Sequence, residues 1–403
     1  MLFSFETVDV FERVYLFRVR SKKSHKKSHY INKFMENLSI LRKILKFDWL
    51  LIFMIVLLVC IGCLSLYSAA GGDWNPWASR HFQRSIIGFS LAFVIAITDI
   101  KIIYKYAWLP FIISIILLLI LYITSNQGVN RWLDLGAIKI QPSEIAKISI
   151  ILALARYFHD INIRDYGKVL YSIFALLISM PIIILTVIQP DLGTAVMQVL
   201  IVAVIIFLAG LRIWLLILSL GAFIASMPLI WFNLHDYQKQ RILTHLDPSL
   251  DSLGAGYHIN QSKIALGSGG VFGKGFLHGS QSHLDFLPEK QTDFIFTMIG
   301  EEFGLAGTLF VLMIFVLIML YCTIISFLQS SQFSRLLCSG IVFMLFSYVF
   351  VNVGMVSGLL PVVGAPLPLI SYGGSSMLTI FISFGIILSA SIHRFDKIEI
   401  KSY

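Results

Sequence analysis

Charge is the scarcest property of this sequence. Asp, Glu, Lys and Arg make up 13% of the 403 residues, against about a quarter in an ordinary soluble domain. With so little charge, with hydrophobic residues at 57% and with a mean hydropathy of +0.84, the chain reads as an integral membrane protein. Cysteine is sparse as well. Four cysteines give no disulfide framework, and Cys60 and Cys63, although spaced C-x-x-C, lie inside an apolar run where they read as small hydrophobes. No H-E-x-x-H pair and no G-x-S-x-G elbow occurs, so zincin-type and hydrolase-elbow chemistry have no motif to rest on. The run GSGGVFGKG contains Gly273-Lys274 but has Ser268 where a Walker motif needs its first glycine and Gly275 where it needs a hydroxyl residue. It reads as a turn-rich loop, or with GYHINQSKIALGSGG as part of a short interfacial helix.

Long apolar runs are abundant. A bilayer needs about 20 apolar residues per helix, and runs of roughly that order occur at Leu45–Ser68, Arg84–Ile100, Tyr106–Thr124, Ser143–Phe158, Val169–Ile188, Leu192–Leu208, Ile213–Phe232, Phe294–Phe327, Leu336–Val356 and Leu369–Ile392. The expected fold is therefore an all-α membrane protein of about ten transmembrane helices. The second run is short, and the eighth is long enough to tilt or break near Gly304 and Gly307. Lys and Arg exceed Asp and Glu by 31 − 22 = +9. Much of that surplus lies in the first fifty residues, which points to positive-inside retention and not to nucleic acid. With the amino terminus inside, Lys101, Lys105, Arg156, Arg164, Lys168, Arg212, Arg335, Arg394, Lys397 and Lys401 fall on the cytoplasmic side. Residues 1–44 then form a basic cytoplasmic segment, 45–392 the membrane domain with an external loop at 233–292 between helices 7 and 8, and 393–403 a cytoplasmic tail. RVRSKKSHKKSHY has no periodicity, and Met35 stands just before a conventional basic-then-apolar start, so Met35 is the expected native start, with a basic tail on anionic lipid as the alternative.

The remaining polar residues gather at the expected outer ends of helices. They are Arg131, Trp132 and Asp134 in VNRWLDLG; Gln141, Ser143, Glu144 and Lys147 in QPSEIAK; Gln189 and Asp191 in IQPDLGT; Gln240 and Arg241 in QKQRI; and Ser371, Tyr372 and Ser375 in PLISYGGSS. Glu144 and Lys147 stand three apart and can pair, which lowers the cost of burying either. Pro142, Ser143 and Glu144 also read as a helix start. Asp293, in QTDFIF at the lip of the eighth run, is ambiguous in the same way, because Thr292 or Asp293 can cap that helix. Glu301 lies about twelve ångströms further along the axis and roughly a quarter turn away, with Glu302 on the far side.

From about Asp48 to Ile392 the chain resembles the SEDS family (shape, elongation, division and sporulation proteins). The resemblance runs through RWLDLG, QPSEIAK, QPDLGTA, GAGYHINQSKIALGSGG, LPEKQTDFIFTMIGEE and PLPLISYGGSS, in that order. GFLHGSQSHLDFLPEKQTDFIF and LPVVGAPLPLISYGG are more similar to the elongation branch than to the division branch. The resemblance implies a glycosyltransferase that polymerises lipid II at the outer face of the bacterial cytoplasmic membrane, with undecaprenyl pyrophosphate as leaving group and a class B penicillin-binding protein, a transpeptidase, among its elongation-complex partners. The family's essential aspartate falls on Asp293, which the chemistry casts as the base that takes the proton of the acceptor hydroxyl. Arg131, Lys147 and Arg241 are the expected phosphate cations, with Glu144 orienting Lys147, and Tyr257 and Gln261 reaching sugar or lipid. Ser371 and Tyr372 complete the expected substrate-binding set. No organic cofactor is expected, while a divalent cation such as Mg²⁺ or Mn²⁺ on the pyrophosphate stays open. A lipid II flippase and a non-catalytic scaffold are the competing expectations.

Overall fold

The computed structural model describes residues 43–124, 131–134, 136, 139–161, 168–211, 213–233, 236–251, 254–280, 289–396 and 398. Met35, Arg164, Arg212, Lys397 and Lys401 lie outside these residues. The chain divides into a unit of Met1–Phe47 and a unit of Asp48–Tyr403, and the second carries the elements that follow.

In chain order these are α1 (Trp49–Ala69), α2 (Trp77–Ile97), α3 (Ile100–Lys105), α4 (Trp108–Thr124), a two-stranded antiparallel ribbon of β1 (Leu133–Asp134) and β2 (Lys139–Ile140), α5 (Pro142–Asp160), α6 (Val169–Ile188), α7 (Leu192–Leu208) and α8 (Ile213–Asn233). Then come α9 (Asp236–Leu246), a 3-10 turn at Pro248–Asp251, α10 (Ala255–Ser268), α11 (Ile295–Phe327), α12 (Gln332–Val356) and α13 (Gly374–Ile392). Among the described residues, α1, α6, α11, α12 and α13 are long and apolar enough to cross a membrane by length and composition, and α4 and α7 are shorter apolar helices. The protein is a multi-pass helical membrane protein.

Helix α5 is its axis. It packs against α4, α7, α12 and α13, and nearly all of its side chains are buried, including Glu144 and Lys147. Its outward neighbours show the lipid-facing pattern instead: α6 exposes Leu170, Phe174, Leu177, Ile184 and Ile188. At the end expected to be cytoplasmic, the Tyr104 hydroxyl donates to Asp160, and Arg156 donates to the Tyr104 and Lys105 carbonyls at 3.1 and 2.7 Å. Asp48 there accepts from Tyr321 and Ser391.

Two helix starts lie furthest from the expected runs. α2 begins at Trp77, seven residues before Arg84, because its first two turns carry Ser79, Arg80, His81 and Gln83 and so lack the hydropathy of a span. α13 begins at Gly374 rather than at Leu369, because Leu369 has a φ of +62° and the two prolines before it keep the chain extended.

The long α11 breaks at Gly304, whose φ of +65° and ψ of −161° are outside the helical region. The glycine-rich loop after α10 fills that break. The Leu305 and Ala306 amides donate to the Gly270 and Val271 carbonyls at 2.9 and 3.0 Å, and the Lys274 and Gly275 amides donate to the Glu301 and Glu302 carbonyls at 3.0 Å each. A Cβ on Gly304 would lie 2.4 Å from the Gly273 backbone nitrogen, and one on Gly273 would lie 2.1 Å from the Glu302 carbonyl oxygen. The motif that mimics a nucleotide loop is thus a backbone clamp on a broken helix. A left-handed φ costs a non-glycine residue roughly 1–2 kcal/mol, and a rigid overpacked contact adds a similar amount. Gly304→Ala is therefore expected to lower the thermal unfolding midpoint of detergent-purified protein by several degrees, whereas Gly267→Ala, with open space at its Cβ, leaves it unchanged; equal midpoints for the two would contradict the clamp.

Candidate active site

Four of the five polar groups meet at one end of the bundle, and Asp191 joins three of them. Its carboxylate accepts from Gln141 Nε2 at 3.1 Å and from the Ser143 hydroxyl at 3.3 Å, and faces Arg131 Nη1 at 3.8 Å. Arg131 also donates to the Pro190 carbonyl. The Gln141 backbone amide donates to the Ser375 hydroxyl at 3.0 Å, which ties in the first turn of α13. The remaining group, QKQRI, lies on α9, which packs on the 3-10 turn and α10; Arg241 is exposed there.

Behind Asp191, Lys147 Nζ donates to Glu144 Oε1 at 2.7 Å, and Glu144 Oε2 accepts the Tyr348 hydroxyl from α12. The ammonium also lies 4.1 Å from the centroid of the Tyr348 ring. Glu144 and Lys147 are 4% and 1% exposed, so the pair anticipated from spacing forms and is closed off from solvent. Sequence reasoning missed Tyr348, whose position within an apolar run 204 residues from Glu144 gives no local signal. A small crevice of about 10 Å³, the room of a single water, lies between this triad and the loop at Val363, Gly364 and Ala365.

Gly364 links the crevice to Asp293. A Cβ at Gly364, whose φ is +79°, would sit 3.3 Å from Asp293 Oδ2, so the loop backbone passes directly over the carboxylate. Asn352 Nδ2 fixes that passage by donating to the Asp293 and Ala365 carbonyls at 2.9 and 2.7 Å. The Tyr372 amide donates to the Gln291 carbonyl at 2.8 Å. Neither expected cap forms: α11 follows Phe294 with no side-chain cap bond, and Thr292 donates to Glu289. Among the described residues, no donor reaches the half-buried Asp293 carboxylate. Desolvation, with the nearby charge of Glu289 as a lesser cause, raises its pKa from 3.8 to about 6.

The other expected residues divide. Tyr257 and Gln261 are half-buried on α10, which is pinned to its neighbours by the Ser262 hydroxyl, 2.9 Å from Thr297 Oγ1 and donating to the Val356 carbonyl at 2.8 Å. Tyr257 stacks edge-on to His258, whose ring reaches Phe294 beside Asp293. Ser371 is buried, and its hydroxyl accepts the Leu367 amide at 2.8 Å, which closes its own loop. Glu301 holds Lys274 at 2.7 Å and Ser280 at 3.1 Å, and Glu302 accepts from Ser68, so both serve the clamp on α11. Among the described residues, the three-ligand cluster with metal-like spacing is Asp99, His393 and Asp396, at the opposite end of the bundle.

A multi-pass helical protein that sets the unpaired, desolvated carboxylate of Asp293 at the rim of a bundle whose other buried charges are paired among the described residues is the class that fold and site define. The chain belongs to the FtsW/RodA/SpoVE family of cell cycle proteins, whose model matches residues 43–396. It is 42% identical over 359 residues to the peptidoglycan glycosyltransferase MrdB of Escherichia coli (strain K12), covering 86% of this chain and 94% of that one. It is similar in structure, with a TM-score of 0.76 and 29% identity over 87% of this chain and 99% of the other, to a chain described under "Structural coordination of polymerization and crosslinking by a peptidoglycan synthase complex". The rod shape determining protein RodA of Thermus thermophilus gives a TM-score of 0.65 at 26% identity, over 87% of this chain and 98% of that one.

Removing one partner of a buried ion pair leaves a bare charge, which costs about 3–5 kcal/mol, whereas replacing both partners is often neutral. Lys147→Met alone is therefore expected to destabilise the purified protein by about that amount, and Glu144→Gln with Lys147→Met to recover most of the loss. Additive losses in thermal unfolding of the three variants would contradict the pairing.

Proposed function

We propose that this protein is a peptidoglycan glycosyltransferase that polymerises lipid II into glycan strands at the outer face of the bacterial cytoplasmic membrane during cell elongation. The observation that carries the reading is the unpaired Asp293 carboxylate, raised to about 6 beneath the Gly364 backbone. A base works best when its pKa lies near the working pH. In the reaction, the C4 hydroxyl oxygen of the acceptor sugar forms the new bond to the anomeric carbon of the donor. The bond from that carbon to undecaprenyl pyrophosphate breaks with its electron pair, and Asp293 takes the hydroxyl proton.

The names of the relatives support the enzyme class, and the gathering of the basic Lys101, Lys105, Arg156 and Arg394 ends opposite Asp293 supports an outward-facing site. Tyr372, whose amide holds the Gln291 carbonyl, and Tyr257 and Gln261 on α10 serve as substrate contacts. Arg131 and Lys147, already paired with Asp191 and Glu144, supply positive potential from behind, and Arg241 from α9. A class B penicillin-binding protein fits as the crosslinking partner, since the similar chain above is described within a complex that couples polymerisation to crosslinking. No organic cofactor belongs to the proposal. Glu144 and Asp191 are already engaged by Lys147 and Arg131, and a divalent cation such as Mg²⁺ or Mn²⁺ would supply further charge neutralisation at the pyrophosphate.

Purified protein with its transpeptidase partner is expected to convert labelled lipid II to polymer, with Asp293→Ala folded and inactive. The rate of the unaltered enzyme is expected to rise with pH through about 6, because the deprotonated carboxylate is the base, and to fall about tenfold per pH unit below that value. Polymer from Asp293→Ala at the unaltered rate would overturn the assignment. Lipid II retained on the inner face in cells carrying that variant would favour a flippase, and accumulation on the outer face the polymerase.

A further inference from the structure

The polymerisation proposed above brings two lipid-linked sugars together in each turnover. One loses its pyrophosphate and the other keeps it, so two strongly anionic groups must be held at once, and each needs cations. On the α5 side of Asp293 the cations are committed: Lys147 to Glu144, and Arg131 to Asp191 and the Pro190 carbonyl. On the α2 side the arrangement differs.

Arg84 lies in the third turn of α2 with its guanidinium carbon 4.6 Å from the centroid of the Tyr372 ring. The backbone at Gly374 backs it so closely that a Cβ there would fall 3.7–3.9 Å from three guanidinium atoms. The side chain is half-buried, and among the described residues no protein acceptor or carboxylate engages it. Stacking fixes the plane of an arginine while leaving its N–H edges free for a bidentate oxyanion. An arginine within an apolar helix is costly to keep unless something uses its charge.

Its surroundings place it at the reaction. Tyr372, on which it stacks, donates its amide to Gln291, two residues before Asp293. Trp77, seven residues before Arg84 and so about two turns along the same face, lies under the buried Lys290 ammonium at 6.0 Å from its ring centroid. Arg84 and Lys290, each over an aromatic ring, thus lie along one face of α2 beside the Gln291-Thr292-Asp293 turn.

We propose that Arg84, held over the Tyr372 ring, binds the pyrophosphate of one of the two lipid-linked substrates on the α2 side of Asp293. This rests on the polymerase reading for the identity of the ligand. A phospholipid head group offers the same phosphate chemistry, and the test separates the two.

The full chain is reconstituted in phosphatidylcholine nanodiscs and treated with phenylglyoxal, and arginine modification is followed by peptide mass spectrometry. Undecaprenyl pyrophosphate is expected to slow modification of Arg84 at least fivefold and that of the exposed Arg394 not at all, while phosphatidylglycerol at the same concentration gives no protection. Absence of protection, or equal protection by phosphatidylglycerol, overturns the proposal. Arg84→Gln is expected to weaken binding of undecaprenyl pyrophosphate at least tenfold and Arg84→Lys to weaken it less. Unchanged affinity in a folded Arg84→Gln overturns it as well, and the protection measurement needs no variant to fold. Lipid II polymerisation by the same preparation is scored separately. Protection of Arg84 without polymer would count against the polymerase reading and in favour of the pyrophosphate site.

Discussion

A charge at the edge of an apolar bundle must be compensated, and that cost orders the charges of this protein. Glu144 is held by Lys147 and Tyr348, Asp191 by Arg131, Gln141 and Ser143, Glu301 by Lys274 and Ser280. Each compensated carboxylate also joins distant segments, so the pairs that make burial tolerable are the same pairs that bring α5, α7, α12 and the glycine-rich loop to one end. Asp293 stands apart in that company. Its backbone carbonyl is fixed by Asn352, but its carboxylate faces a glycine backbone and no donor among the described residues. Desolvation without compensation is what raises its affinity for a proton, and a proton acceptor is what the attacking hydroxyl needs.

The position of Asp293 depends on a second constraint. An unbroken α11 would run 33 residues. The break at Gly304 and the strand-like bonds from residues 270–275 give its first three turns a fixed direction that an isolated helix would lack. Glu301 and Glu302 lie inside this clamp, which is why two carboxylates so near the expected base are spent on holding Lys274 and Ser68. The glycines at 269, 273 and 304 are required by close backbone approach, so a loop that imitates a phosphate cradle in sequence is a steric necessity in the fold.

Much of this was legible in the sequence, and the parts that were not share a physical cause. Apolar runs mark helices because bilayer length is a strong filter, and the α5 pair was readable because residues three apart share a face. The start of α2 was hidden because Ser79, Arg80, His81 and Gln83 lower its hydropathy, although His81 among them is buried. Tyr348 and Asn352 were invisible because a polar group in an apolar run acquires meaning only through a partner far away in sequence. Ser371 stood out in sequence by its place in the outer-end PLISYGGSS segment, while its burial and its bond to the Leu367 amide depend on how its own loop closes. The capping ambiguity at Thr292 and Asp293 needed coordinates, since both readings use the same residues.

The central claim is that burial, with a lesser push from the Glu289 charge, makes Asp293 a base poised near neutrality. Infrared difference spectroscopy of the carboxyl stretch, comparing the unaltered protein with Asp293→Asn across pH, measures this directly. A protonated-carboxyl band that belongs to Asp293 and disappears with a midpoint at about 6 is the result the account predicts. A midpoint at the ordinary carboxylate value of about 4 would contradict it.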